Sequence, residues 1–202
     1  MVGKSTGGRA SALATRLYAT RGPCRVQAPE SLPRALLASG YTDIVPEVNE
    51  EAVIAVLRAL EREGVRYKVV GAVALALVGL PRATQDLDIF VAADEDNVAR
   101  LRAALRSVFD DPEIAAITSA DLAGDYPAVQ YIPPTGAFHI DILSRLGEAF
   151  CFDDIEVEER VVEGIRIPVA TPRMLFRMKR GTVRPQDRAD ADRLRRHFNL
   201  ED

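Results

Sequence analysis

The 202-residue chain has no tryptophan, two cysteines, two histidines and three methionines. Two cysteines, Cys24 and Cys151, cannot build a disulfide framework or, by themselves, a zinc site. No apolar run approaches the roughly 18 residues that a membrane-spanning helix needs, and no apolar signal-peptide core is present, so no membrane partner is expected. Acid is missing from residues 1–29, which carry five basic side chains. What is present is the mixture of a globular protein: 48% hydrophobic and 28% charged residues, which excludes disorder throughout. The formal net charge of -4 is unevenly spread. Residues 30–172 hold 25 acidic and 12 basic residues, whereas residues 173–196 hold three acidic and nine basic ones. An acidic body is thus followed by a basic C-terminal segment, an asymmetry that asks for a functional explanation.

Residues 1–45 show neither helical nor alternating periodicity and are rich in Gly and Pro, so they read as a mobile extension outside a domain at 46–202. Their acid-free, Arg-containing start also has the look of an organellar transit peptide, against which the Gly and Pro content and weak amphipathicity speak. Gly3-Lys4-Ser5-Thr6 mimics the end of a phosphate-binding loop but lacks the upstream glycine and preceding strand that such a loop requires.

From Pro46 onward the pattern is regular. Val53, Val56, Leu57 and Leu60 recur at helical spacing, with Gly64 as the C-terminal stop. Tyr67 to Val70 reads as a short strand, and Gly71 opens a small-residue helix to about Val78. Asp86 to Val91 is a strand entering the core. Asp94 caps a helix that carries Val98, Leu101, Leu105 and Val108 on one face. Residues 110–125 read as loop with one helical turn near Ile114. Val129–Ile132 and Phe138–Leu143 form a hairpin across Pro133-Pro134-Thr135-Gly136. A strand at Ile165–Val169 leads to helices at 172–180 and 186–198.

The sharpest chemical feature is Asp86-Leu87-Asp88. Residues i and i+2 of a strand point to one face, so two carboxylates stand side by side. They are either a solvated strand end or a ligand pair for a hard divalent cation, Mg²⁺ or Mn²⁺. Three features favour the second reading. Gly71 lies between a strand and a helix, where free backbone N–H groups favour phosphate. Asp141 sits in the otherwise apolar strand His139-Ile140-Asp141-Ile142-Leu143, a costly place for a carboxylate without a partner. Arg82 and Thr84 precede the first Asp and offer a cation and a hydroxyl. On the first C-terminal helix Arg173, Arg177 and Arg180 form one stripe, while Lys179 falls on the apolar side and needs an anion or a route to water. On the last helix Asp187 shares a face with Ala191, Leu194 and Phe198, and reads as an N-cap or a partner of Arg184 or Arg188. Asp190 reads as surface, Cys151 as core and His139 as a structural strand residue that could also touch substrate. Asp153, Asp154 and Glu156 read as a solvated acidic turn.

Gly71-Ala72, Asp86, Asp88 and Asp141 resemble the signature of the nucleotidyltransferase superfamily with the minimal, DNA polymerase β-like palm. Arg82-Ala83-Thr84-Gln85-Asp86-Leu87-Asp88, the helix ending in Lys179, and Arg184-Pro185-Gln186-Asp187-Arg188-Ala189-Asp190 look most like the AbiEii/AbiGii toxin-type branch. Two departures stand out: Ala72 replaces a small polar residue or glycine, and Gln186 replaces a lysine. The resemblance covers about residues 46–198. It implies an α/β (α+β) palm with a small mixed sheet flanked by helices and a C-terminal helical segment at 172–198. It implies a cytoplasmic transferase moving a nucleoside monophosphate from a nucleoside triphosphate to an acceptor hydroxyl, with tRNA or another RNA as acceptor and a cognate antitoxin as partner. Asp86, Asp88 and Asp141 would ligate metal. Gly71, Ala72, Arg82, Thr84, Lys179 and Asp187 would bind nucleotide, with Lys179 also catalytic. The alternative is a non-catalytic nucleotide- or partner-binding module of a toxin–antitoxin system.

Overall fold

The alternating strand Asp86–Val91 dictates the centre of the molecule. Leu87, Ile89 and Val91 are fully buried, whereas Asp86 and Asp88 on the opposite face are only partly so. A computed structural model of the chain describes residues 50–125, 127–134 and 138–201. By their internal contacts these residues belong to one unit, Val45–Asp202. The proposed extension at 1–45, with Cys24 and the Gly3-Lys4-Ser5-Thr6 run, lies outside the described residues, as do Thr135 and Gly136.

The chain order is α1 (Glu50–Arg62), β1 (Tyr67–Val69), α2 (Gly71–Leu77), β2 (Asp86–Val91), α3 (Glu95–Arg106), α4 (Ser119–Ala123), β3 (Ala128–Tyr131), β4 (His139–Leu143), β5 (Arg145–Leu146), β6 (Phe150–Cys151), β7 (Val157–Val162), β8 (Ile165–Ala170), α5 (Pro172–Arg180) and α6 (Pro185–Phe198). Six strands form a mixed sheet in the order β3-β4-β2-β1-β8-β7, and β5 and β6 pair separately. The fold is therefore mixed α/β with helices flanking the sheet, as expected. β2 runs parallel to β4 and antiparallel to β1, and β1 runs parallel to β8.

The two faces of the sheet differ. Leu87 and Ile89 pair in register with Ile140 and Ile142, and all four have no exposed surface. They join one hydrophobic cluster with Val56, Leu57 and Leu60 of α1 and Val98, Leu101 and Leu105 of α3. Each such large aliphatic side chain contributes about 1.5–3 kcal/mol on burial. The other face of β2 and β4 carries Asp86, Asp88, His139 and Asp141. One face thus holds the core and the other is free for chemistry.

Local signals set the boundaries. α1 stops where Gly64 takes φ +63 and Val65 N–H bonds back to Leu60 C=O at 3.0 Å. Asp94 caps α3 by accepting from Asn97 N–H. Asn97 is itself buried and bonds Arg66 N–H, Arg66 C=O and Ala92 C=O at 2.7, 3.0 and 2.8 Å, tying the start of β1 to the end of β2.

Three expectations are corrected. Residues 110–125 contain a 3₁₀ turn at Pro112–Ala116 and also α4, whose Thr118 and Asp121 form a reciprocal capping box. The strand β7 was not anticipated, because its Val-Glu-Glu-Arg-Val-Val sequence lacks the apolar alternation of a half-buried strand, as suits a sheet edge. Cys151 is exposed rather than core, and its thiol donates to Asp154 at 2.9 Å. Among the described residues no helix is long and apolar enough to cross a membrane.

Candidate active site

Parallel pairing of β2 with β4 brings the acids together. Asp88 is the direct register partner of Asp141, and Asp86 is the partner of His139. Partners in a parallel pair share a face, with strands ~4.8 Å apart. Three carboxylates and an imidazole therefore occupy one face of two adjacent strands. His139 Nδ1 lies 3.4 Å from Asp86 Oδ1.

Their electrostatics follow from this crowding. Burial, then the charges of Asp141 and Asp86, push the Asp88 carboxyl up to about 6. Lys179 and Arg82 act in the opposite sense on the same group. Burial also raises the Asp141 carboxyl, and Asp86 adds to the rise. A hydrogen bond from Gln130 and the charges of His139 and Arg184 offset part of it. Gln130 Nε2 donates to Asp141 Oδ1 at 2.9 Å from its paired position on β3. Sequence reasoning missed Gln130, since its meeting with Asp141 depends on hairpin register. The spacing of polar residues in Val129-Gln130-Tyr131 was the available signal.

Gly71 touches the acids directly. It follows β1 at φ +65, and a Cβ built on it would lie 1.8 Å from Asp88 Oδ2 and 2.5 Å from its Cγ. No residue but glycine fits there without moving the carboxylate. Val70 N–H bonds Asp88 C=O at 3.0 Å, which fixes this approach. Ala72 is buried, so it can offer the site only its backbone N–H. The Thr84 hydroxyl accepts from Asp86 N–H at 3.2 Å and shapes the entry to β2.

The basic segment meets this face through a buried ion network. Lys179 is 8% exposed, and its ammonium lies 2.8 Å from Asp187 Oδ1 and 3.1 Å from Asp190 Oδ2. Arg82 Nε lies 3.1 Å from Asp190 Oδ2, and Gln186 Nε2 donates to Asp190 Oδ1 at 3.4 Å. Asp190 has no exposed surface, which corrects its reading as a surface residue. It stands four residues before Leu194 on the inward face of α6, and the two cations offset the cost of burying it. Asp187 bonds Lys179 and the Thr182 hydroxyl, with Arg184 Nε at 3.9 Å. Burial raises the Asp187 carboxyl, but the bond and charge of Lys179, with help from Thr182 and Arg184, outweigh it and hold the group below its usual range. Arg173, Arg177 and Arg180 are all exposed, as their stripe predicts.

No protein-family model and no curated protein sequence matches the chain. Similar solved structures include the lincosamide antibiotic adenylyltransferase LnuA bound to lincomycin, at 15% identity and TM-score 0.48 over 74% of this chain and 98% of that one. ANT(2")-Ia in complex with adenylyl-2"-tobramycin aligns at 13% identity and TM-score 0.46, over 74% of this chain and 88% of that one. An antigenic nucleotidyltransferase-like protein from Paracoccidioides brasiliensis aligns at 15% identity and TM-score 0.45, over 74% and 78% of the respective chains. At such identities and scores these likenesses carry no argument about activity.

The fit of the site to a divalent cation rests on its own residues. Among the described residues, Asp86, Asp88, Asp141, Asp187 and Asp190 meet the cations Arg82, Lys179 and Arg184 and the imidazole of His139, so acids outnumber the permanent cations by two. The three carboxylates on this face offer hard oxygen donors, which suit Mg²⁺ or Mn²⁺, and the His139 imidazole stands beside them. As placed, the side chains do not enclose an ion: among the described residues no group of three or more His, Cys, Asp or Glu is set to hold a metal. Residue chemistry, shared face and register suit a divalent cation, whereas the side chains as placed do not close around one.

Proposed function

We propose that this chain is a metal-dependent nucleotidyltransferase that moves a nucleoside monophosphate from a nucleoside triphosphate to an acceptor hydroxyl. The observation that carries the reading is the pairing of Asp88 with Asp141, with Asp86 two residues away on the same face. Like charges this close disfavour full ionisation, and a cation among them would remove that penalty. Asp86, Asp88 and Asp141 would hold Mg²⁺ or Mn²⁺. Bound there, the ion neutralises phosphate charge and orients the reacting oxygens.

The rest of the work falls to the chain itself. The N–H groups of Gly71 and Ala72 face phosphate beside Asp88. Lys179 and Arg82 set a positive flank next to the acids, Asp187 holds Lys179 in place, and Thr84 orders the strand entry. Gln130 holds one oxygen of Asp141, which would also help to accept the proton of the acceptor hydroxyl. The toxin-type pattern Arg82-Ala83-Thr84-Gln85-Asp86-Leu87-Asp88 favours the 3′ end of tRNA as acceptor. The exposed Arg173, Arg177 and Arg180 supply the salt-dependent phosphate contacts such a substrate needs. A cytoplasmic setting and a cognate antitoxin partner belong to the same reading.

One pair of observations favours a non-catalytic, nucleotide- or partner-binding module instead. Lys179 is buried and paired with two carboxylates, and among the described residues no three-acid metal group is closed. Incubation with Mg²⁺ or Mn²⁺, each of four α-labelled triphosphates and bulk tRNA separates the two readings. Transfer lost in a folded Asp86→Ala variant supports the enzyme. Triphosphate binding by calorimetry without turnover selects the module, and absence of both sinks the proposal.

A further inference from the structure

The ion network behind the acid face is internally balanced. Lys179 and Arg82 are matched by Asp187 and Asp190, and the members are 10%, 23%, 14% and 0% exposed at their side chains. Lys179 is tied by two contacts of 3.1 Å or less and is itself buried, so its ammonium has at most one donor left and little surface from which to offer it. Arg184, in the turn between α5 and α6, is different. Its side chain is 80% exposed, and among the described residues its only ion pair is a loose one to Asp187 at 3.9 Å. Through Asp187, which bonds Lys179 at 2.8 Å, Arg184 stands at the edge of the ion network behind the acid face. Val183 beside it is 84% exposed, so the turn presents an apolar side chain and an uncommitted guanidinium together.

We infer that Arg184, rather than Lys179, is the side chain that grips the phosphate chain of the substrate triphosphate; this rests on the nucleotidyl-transfer reading above. The physical reasons are availability and shape. Arg184 has donors to give without breaking a buried pair, and a planar fork matches two phosphate oxygens at once, which an ammonium cannot do. Lys179 then acts as a positioning residue, holding α5, α6 and the Arg82 segment together behind the acids. The same guanidinium could meet the phosphodiester backbone of an RNA acceptor, so the test must separate the two sources of phosphate.

Calorimetric titration of the full chain with tripolyphosphate and Mg²⁺, and separately with a single-stranded RNA oligonucleotide, does so. Arg184→Ala should weaken tripolyphosphate binding roughly tenfold to a hundredfold, the loss of a charge-assisted pair of hydrogen bonds. Arg184→Lys should fall between, and the remote charge-loss control Arg58→Ala should bind as the parent does. Because Arg184 is so exposed, its variants should melt within a degree or two of the parent. Tripolyphosphate affinity unchanged in Arg184→Ala, or a loss confined to RNA, overturns the inference while leaving nucleotidyl transfer standing. A parent chain that neither binds tripolyphosphate nor transfers nucleotide overturns both.

Discussion

Replacing Gly71 by alanine probes the contact that ties the β1–α2 turn to the acids. Two costs add. A residue with a Cβ at φ +65 loses about 1–2 kcal/mol to the left-handed backbone. The new Cβ would sit 1.8 Å from Asp88 Oδ2 and 2.5 Å from Cγ, so the carboxylate must leave its place, an overpacking cost of about 1–3 kcal/mol. The expected loss is about 2–5 kcal/mol, or about 5–15 °C in Tm for a unit of this size. A double-mutant cycle isolates the second cost. In an Asp88→Ala background the two closest contacts vanish and only the 2.9 Å approach to the Cβ of residue 88 remains, so Gly71→Ala should cost the backbone strain and a small remainder of the clash. The coupling energy, read from urea denaturation of the four proteins, should be about 1–3 kcal/mol. Equal costs in both backgrounds would refute the claim that Gly71 is glycine because of Asp88.

Other predictions follow from the same geometry. The Asp88 carboxyl is raised from 3.8 to about 6, so the native state keeps its proton through that window while the unfolded chain loses it. Stability relative to Asp88→Asn should therefore fall as pH rises from about 4 to 6, by up to ~3 kcal/mol, and Mg²⁺ should restore it above pH 6; thermal melts across pH measure this. Asp190→Ala leaves two cations facing a buried gap and should cost about 3–5 kcal/mol in denaturant, against under about 0.5 for the exposed Asp192→Ala. Asn97→Ala deprives Arg66 and Ala92 of three backbone hydrogen bonds and should cost about 2–4 kcal/mol, seen as a lower urea midpoint at unchanged slope.

What could be read from the sequence was what periodicity controls. The Asp86-Leu87-Asp88 alternation gave the strand and its polar face, and an isolated Asp141 between isoleucines gave a second strand of the same kind. The helical spacing after Thr171 bounded two helices nearly to the residue, and that before Gly64 located a third and its end. Edge and cap features were harder. β7 hides because an edge strand exposes alternate residues without an apolar partner face, although Thr118 and Asp121 had the three-residue spacing of a capping box and α4 could have been found. At the candidate site, residue identities were legible but partners were not. Lys179 on an apolar face called for an anion; that the anions are Asp187 and Asp190 depends on how α5 packs on α6. Asp190 lies four residues from Leu194, so its inward position was available from helix geometry, yet an acid in a charge-rich helix reads as surface. Gln130 and Arg184 became visible only once register and the α5–α6 turn were known. Cys151 runs against the usual burial of cysteine because it begins an exposed turn and bonds Asp154.

The proposed reaction requires Asp86, Asp88 and Asp141 to share a divalent cation. Electron paramagnetic resonance of Mn²⁺ titrated into the protein at pH 7.5 tests it most directly, with no need to know nucleotide or acceptor. The account predicts saturable Mn²⁺ binding that competes with Mg²⁺ and is lost in Asp88→Asn and Asp141→Asn variants that remain folded. Mn²⁺ that stays free, or binding left unchanged by both substitutions, would contradict it.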